Sequence, residues 1–312
     1  MKNIAKIIGV IIVIIILGRV ANSIKNKDSN VKGIVNDQFQ QSNSSGTISS
    51  EPTKKDLVLR DVRYGDNKRN TMNVLIPKGS NNTTPFILFI HGGAWISGDK
   101  KDVAFIQSAL SKSGIASASI NYRYASNSIH YPELMNDVDT AVHYIVDHGK
   151  DWNIDTEKIT IGGASAGAHM ALLYGYRYDK GNRIGSIISM SGPTDITQVN
   201  FLDGATSLKL IDGVNKMVGE NYEFGKPVPS QFKDASPIQY VKNIPTLLIH
   251  GTKDSVVPYA QSESLSNVLK QKGYTHDLLT INGVNHDLGM KNQANVKQVT
   301  NRVVEWVKMY NK

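Results

Sequence analysis

Three side chains, Ser165, Asp254 and His286, have the types and surroundings that nucleophilic chemistry needs. Ser165 stands in Gly163-Ala164-Ser165-Ala166-Gly167, a G-x-S-x-G pattern. Before it comes a short β-branched run, Ile159–Ile161, and after it an Ala/Leu/Met-rich stretch, Ala166–Tyr178, that reads as a helix. A strand-to-helix turn that sharp puts its central residue in strained backbone angles and stands the hydroxyl clear of the sheet. Side chains two positions to either side would collide as strand and helix converge, so both positions call for glycine. The helix start adds free N–H groups and the positive end of its dipole beside the serine. A Gly/Ala-rich turn that only packs a helix on a strand would carry the same pattern, so the serine must be judged by its partners.

Asp254 lies in Gly251–Pro258, after the apolar run Thr246–His250, and His286 follows the last such run, Leu278–Asn282. In open α/β sheets functional groups collect beyond the carboxyl ends of the strands. Ser, Asp, His is also the chain order found with a G-x-S-x-G serine. A third loop, His91-Gly92-Gly93-Ala94-Trp95, follows Phe86–Ile90. Consecutive glycines let backbone N–H groups turn into a cavity, which is how an oxyanion is held; a plain glycine turn is the alternative, and His91 reads as a structural brace for the loop. Asp195, after Ile184–Met190, is a rival acid, although Thr194-Asp195 before a turn suits loop capping better. Asp287 adjoins His286 and reads as solvent-facing. His143 and His148 fall on a polar helix, His130 and His276 in loops, His169 in packing, and His250 at the end of a core strand. Arg123 with Asp137 or Asp139 reads as structural ion pairing. With no cysteine and no H-E-x-x-H spacing, neither a metal nor a cofactor is expected.

The elements that must position these groups alternate. Strands are predicted at Leu57–Arg63, Met72–Ile76, Phe86–Ile90, Ile115–Ile120, Ile159–Ile161, Ile184–Met190, Thr246–His250 and Leu278–Asn282. Helices are predicted at Val103–Lys112, Glu133–Asp147, Ala166–Tyr178, Tyr259–Lys272 and Val296–Tyr310. Short, continuously apolar strands separated by helices mean an α/β fold, a mostly parallel eight-stranded sheet with helices on both faces. Residues 54–312 read as one compact domain without internal repeats. Residues 196–243 form the main insertion, and its large apolar side chains from Phe201 to Phe232 are candidates to overhang the site.

Residues 1–23 read as a signal peptide or membrane anchor. Lys2 and Lys6 precede an unbroken apolar run, Ile7–Gly18, and Arg19 follows it. That run suits a signal-peptide core, and Ala21-Asn22-Ser23 offers small residues for cleavage; snorkelling of Lys6 and Arg19 would instead leave an anchor. Residues 24–53, rich in Asn, Ser, Gln and Lys, read as a flexible tether. Up to residue 60 there are nine Lys/Arg against four acids, leaving +3 of the total +8 for the remainder. The basic charge therefore belongs mainly to the tail and suits a membrane or cell-envelope surface. Without an aromatic-interleaved basic patch, no nucleic-acid partner is expected.

On the His91–Trp95 loop, Asn121-Tyr122-Arg123, the Gly163–Gly167 turn, Gly251–Asp254 and His286, the chain from about 54 to 312 resembles the α/β-hydrolase superfamily. It is similar to the esterase/lipase branch that includes hormone-sensitive-lipase-like carboxylesterases and feruloyl or acetyl-xylan esterase-like proteins. The resemblance implies the α/β-hydrolase fold and a serine carboxylesterase acting on small-molecule or glycan esters, and the N-terminal segment adds the expectation that it is exported. Ser165 would be the nucleophile, His286 the base and Asp254 the acid; Gly93, Ala94 and Ala166 would donate N–H groups to the oxyanion, and Trp95 would line the substrate pocket. The chain departs from the pattern at Ala94, where many relatives have a third glycine, at Ala164, and in lacking a long helical cap before the sheet. Ala94 and Trp95 imply a narrow acyl side and short acyl groups. A serine peptidase or acyltransferase with the same three residues, and a non-catalytic surface binding protein on this fold, stay open as alternatives.

Overall fold

The computed structural model describes residues 55–311, so the expected leader and tether lie outside the described residues. Eight strands form one sheet: β1 (Leu57–Arg63), β2 (Thr71–Ile76), β3 (Phe86–Ile90), β4 (Ala116–Asn121), β5 (Ile159–Ala164), β6 (Ile184–Met190), β7 (Thr246–Gly251) and β8 (His276–Ile281). Their spatial order is β1-β2-β4-β3-β5-β6-β7-β8. β2 pairs antiparallel with both β1 and β4, and every pair from β4 to β8 is parallel. This is the α/β-hydrolase arrangement.

Strand residues alternate between two cores, as the period of two requires. In β3, Phe86, Leu88 and Ile90 enter one core, while Ile87 and Phe89 enter the other. The first core is covered by α2 (Tyr131–His148), α3 (Ala166–Leu173) and α7 (Ala260–Gln271), the second by α1 (Ala104–Lys112) and α8 (Gln293–Tyr310). The last helix shows how the sequence dictates this. Val299, Val303, Trp306 and Val307 recur at helical spacing and are almost fully buried. Each such side chain stabilises the fold by about 1.5–3 kcal/mol. The helix begins where Asn292 caps the Ala294 N–H at 2.8 Å.

Between β6 and β7 the chain adds α4 (Val199–Ser207), α5 (Ile211–Val218), the short α6 (Gln231–Asp234) and a 3₁₀ turn, Pro237–Tyr240. Among the described residues no helix is long and apolar enough to cross a membrane. Two predicted elements differ in kind. The helix expected over Ala166–Tyr178 stays α-helical only to Leu173 and then widens into a π-type turn, Tyr174–Tyr178. With that widening Tyr174 donates to Asp139 on α2 and Tyr176 contacts Thr246 on β7. The last strand starts two residues earlier than expected, so His276 opens β8 and is not in a loop.

Candidate active site

β5 runs directly into Ser165, whose φ of 55° and ψ of −122° mark a strained turn. The two flanking glycines are demanded by close approach. A Cβ on Gly163 would lie 2.3 Å from the Gly167 carbonyl carbon, and one on Gly167 would lie 2.1 Å from the Ile90 oxygen. The Ser165 N–H is tied to Met190 O at 2.8 Å, so β6 holds the turn from its other side.

Three strand ends bring the partners together. Ser165 Oγ lies 3.0 Å from His286 Nε2, and His286 Nδ1 lies 2.7 Å from Asp254 Oδ2. The Asp254 side chain is fully buried. Its Oδ1 accepts the Val256 and Val257 N–H groups, both at 2.9 Å. Burial alone would raise its pKa, but hydrogen bonds from His250 and His286 outweigh that and hold the carboxyl well below the usual range. It therefore stays ionised beside His286. The arrangement can pass the Ser165 proton to His286 and hold the resulting imidazolium against Asp254.

The Gly93 loop supplies donors. Gly93, Ala94 and Trp95 all have positive φ, 116°, 50° and 62°. Among the described residues the N–H groups of Gly93, Ala94 and Ala166 are bonded to nothing, and all three residues line the cavity that Ser165 and His286 face. Ser97 and Ile96 return their N–H groups to Gly93 O at 3.0 and 3.1 Å, which locks the loop. Gly213 of α5 packs on its far side, where a Cβ would stand 2.4 Å from Ala94 O. His91 is fully buried, stacks on Tyr122 at 4.5 Å and places Nδ1 2.6 Å from Gly92 O. Burial pushes its pKa down to about 4, so it braces the loop as a neutral ring.

Two apolar chambers meet at Ser165. The first is walled by Ala94, Trp95, Phe201, Leu210, Val214 and Val257. The second is walled by Phe105, Ile106, Met190, Leu288 and Met290, with Asp102 and Asp287 also along it. Trp95 is 3% exposed and held in place, its Nε1 donating to His169 Nδ1 at 3.2 Å. His169 in turn donates from Nε2 to Ala235 O at 2.8 Å, and burial lowers its pKa to about 4. Of the apolar side chains noted in the insertion, Phe201 and Leu210 reach the first chamber. Met217 and Phe232 are buried in the core, and Phe224 is exposed.

The remaining candidates fall elsewhere. Asp195 turns its Oδ1 to the Thr197 N–H and hydroxyl, at 2.9 and 2.6 Å, and so caps its own loop. Arg123 pairs with Asp137 at 2.8 Å, not with Asp139. His130 lies in the loop before α2, as expected, where it caps the helix and places Nδ1 2.7 Å from Lys216 O. Asp287, expected to face solvent, accepts the Gly289 N–H and lines the second chamber. Among the described residues no group of three or more His, Cys, Asp or Glu converges as a metal site. Sequence reasoning missed two residues at the site. His250 contacts Asp254 Oδ2 at 3.1 Å, and Asn285 accepts the Ser255 N–H at 2.9 Å. The signal for the first was present, since His250 and Asp254 flank one strand end four residues apart.

Comparison with known proteins shows what this chain is similar to. The BD-FAE family model matches residues 72–269. The chain is 30% identical over 245 residues to a probable isoprenylcysteine alpha-carbonyl methylesterase (ICME) of Oryza sativa subsp. japonica, covering 73% of this chain and 58% of that protein. It is 29% identical to the esterase LipC of Mycobacterium tuberculosis, covering 75% and 61%. The chain thus spans little more than half the length of the curated relatives it matches. Among solved structures, a truncated carbohydrate esterase from gut microbiota superposes with a TM-score of 0.67 at 23% identity, covering 82% of this chain and 98% of that one. A hyperthermophilic esterase from the archaeon Pyrobaculum calidifontis gives 0.63 at 20% identity, covering 84% and 88%.

Proposed function

Because the chain belongs to the BD-FAE family and folds as an α/β-hydrolase, we propose that it is a serine carboxylesterase, with Ser165, His286 and Asp254 as its catalytic residues. The observation that carries this reading is the unbroken contact chain from Ser165 Oγ through His286 to Asp254, opposite unpaired N–H groups in one cavity. Ser165 Oγ attacks the ester carbonyl as its proton passes to His286 Nε2. The carbonyl oxygen, now negative, is held by the N–H groups of Gly93, Ala94 and Ala166. The imidazolium then protonates the departing alcohol oxygen, leaving an acyl-enzyme on Ser165. Water repeats the sequence, giving its proton to His286, and the carboxylic acid and free Ser165 are restored.

We infer a short acyl group, of two to four carbons, from the Ala94 methyl and the Trp95 ring, held by His169, in the wall of the first chamber. The names of the relatives agree on ester hydrolysis and differ in substrate. Export is part of the same reading and rests on the apolar run Ile7–Gly18 between flanking basic residues. The purified protein should hydrolyse p-nitrophenyl acetate and butyrate and be labelled by a fluorophosphonate probe. Ser165→Ala should stay folded, lose labelling and lose activity by roughly 10⁴–10⁶-fold. Labelling that survives in that variant would move the nucleophile elsewhere.

A further inference from the structure

Asp254 Oδ2 serves two imidazoles. His286 Nδ1 stands 2.7 Å from it and His250 Nε2 stands 3.1 Å from it. His250 is fully buried at the end of β7. Its Nε2 also lies 3.0 Å from Val257 O, and its Nδ1 lies 2.7 Å from Ser262 Oγ on α7. Two acceptors converge on Nε2, so that nitrogen carries the hydrogen, and the Ser262 hydroxyl donates to Nδ1. The ring is thereby fixed in one hydrogen-bonding orientation. Asp254 and, edge-on at 5.8 Å between ring centres, Tyr259 are the titratable groups that face the ring from the elements packed against it. His286 acts on it through the shared oxygen.

We propose that His250 is a positioning residue for the reaction: it holds Asp254 in place and shares the oxygen that Asp254 offers to His286. The proposal rests on the serine-esterase reading above and goes beyond it in two ways. First, the Val256 and Val257 N–H groups fix only Oδ1, so without His250 the other oxygen is held only by His286, the group it must itself position. His250 holds Oδ2 independently of His286 and ties the same loop through Val257 O. Second, an N–H donated to Oδ2 shares the oxygen that would otherwise serve His286 alone. The ring therefore bears on the contact between Asp254 and His286 as well as placing Asp254.

The test uses two polar replacements of nearly the same reach. In His250→Gln the amide nitrogen falls close to where Nε2 stands and can still donate to Asp254. In His250→Asn it falls near Nδ1, keeps Ser262 and cannot reach Asp254. We expect His250→Gln to retain kcat/KM within about threefold and to keep the wild-type acidic limb of the pH profile. His250→Asn should lose roughly 10–100-fold, the range found when outer partners of metal-bound histidines are removed. Its loss should fall mainly on kcat, and its acidic limb should move from the wild-type position, because Oδ2 of Asp254 then serves His286 alone. Equal losses in the two variants with an unshifted limb would reduce His250 to a packing residue and overturn the proposal. Failure of the wild-type protein to hydrolyse any p-nitrophenyl ester would instead sink the esterase reading, so the two failures are distinguishable.

Discussion

The choice of Asp254 over Asp195 as the acid can be tested by exchanging each carboxylate for its amide. In Asp254→Asn the side chain has one acceptor where the carboxylate has two. The Val256 and Val257 N–H groups, both at 2.9 Å from Oδ1, fix which end that acceptor must occupy. The amide NH₂ is then forced to the Oδ2 position, facing His286 Nδ1 at 2.7 Å and His250 Nε2 at 3.1 Å. Donor faces donor at 2.7 Å, and the clash is relieved when His286 moves its hydrogen from Nδ1 to Nε2. Nε2 then points a hydrogen at Ser165 Oγ, 3.0 Å away, and cannot take the serine proton. The geometry stays and the base is lost, which lowers kcat by roughly 10²–10⁴-fold.

Asp195 carries no such consequence. Its Oδ1 caps the Thr197 N–H and hydroxyl, and an asparagine oxygen can make the same bonds. Asp195→Asn should leave kcat within about threefold of wild type. Initial rates on p-nitrophenyl butyrate, with thermal melts to show both variants folded, decide the matter. A larger loss for Asp195→Asn than for Asp254→Asn would refute the assignment of the acid to the seventh strand.

Three further outcomes are expected. In an acyl-chain series each methylene that fits adds up to about 0.8 kcal/mol of burial, while one forced against Ala94 or Trp95 costs roughly 1–3 kcal/mol. Activity should therefore peak at acetyl to butyryl esters and fall by octanoyl, and Ala94→Gly should move the peak to longer chains; a wild-type profile still rising at dodecanoyl would refute the narrow chamber. His91 and His169 are neutral when folded, with pKa values lowered to about 4, against about 6.5 in the unfolded chain. As pH falls from about 6.5 to about 4 the unfolded chain takes up protons that the folded one cannot, so each ring removes up to about 3 kcal/mol of stability across that window. Melting temperatures that stay flat from pH 6.5 to 4.5 would contradict this, and His169→Gln should flatten part of the slope. Intact cells treated with protease should lose the protein from their surface or the medium; protection until lysis would count against export.

Legibility in the sequence followed burial and backbone constraint. The run Phe86–Ile90 is buried on both faces, so its strand could be read to the residue. β8 lies at the sheet edge, with five of its six positions only partly buried, and its apolar signal misplaced it by two residues. The first turn of α8 is polar, and its start was therefore read three residues late. The serine turn was plain because a Cβ cannot stand at either flanking position. The second chamber was not legible. Its walls come from Phe105 and Ile106 and, about 180 residues later, Leu288 and Met290, and only the sheet order joins them. The second ring on Asp254 was signalled only by spacing, four residues about one strand end, because a strand-end histidine does not itself say where the following loop folds back.

The sheet order also sets a distance problem that the loops must solve. β5 and β8 are separated by β6 and β7, so at about 4.8 Å per step Ser165 and the end of β8 stand roughly 14 Å apart. His286 can meet Ser165 only if the chain after β8 crosses back over β7. It is pinned in doing so: Lys253 donates its N–H to Val284 O at 2.9 Å, and Ser255 donates to Asn285 Oδ1 at 2.9 Å. Gly251 makes room for the crossing, since a Cβ there would lie 2.5 Å from Val284 O. The loop that carries Asp254 is therefore also the bed on which the His286 loop lies. On the proposed reading, that is why the acid follows β7. A carboxylate after β6 would sit nearer the serine, but it would not lie on the bed that carries the base.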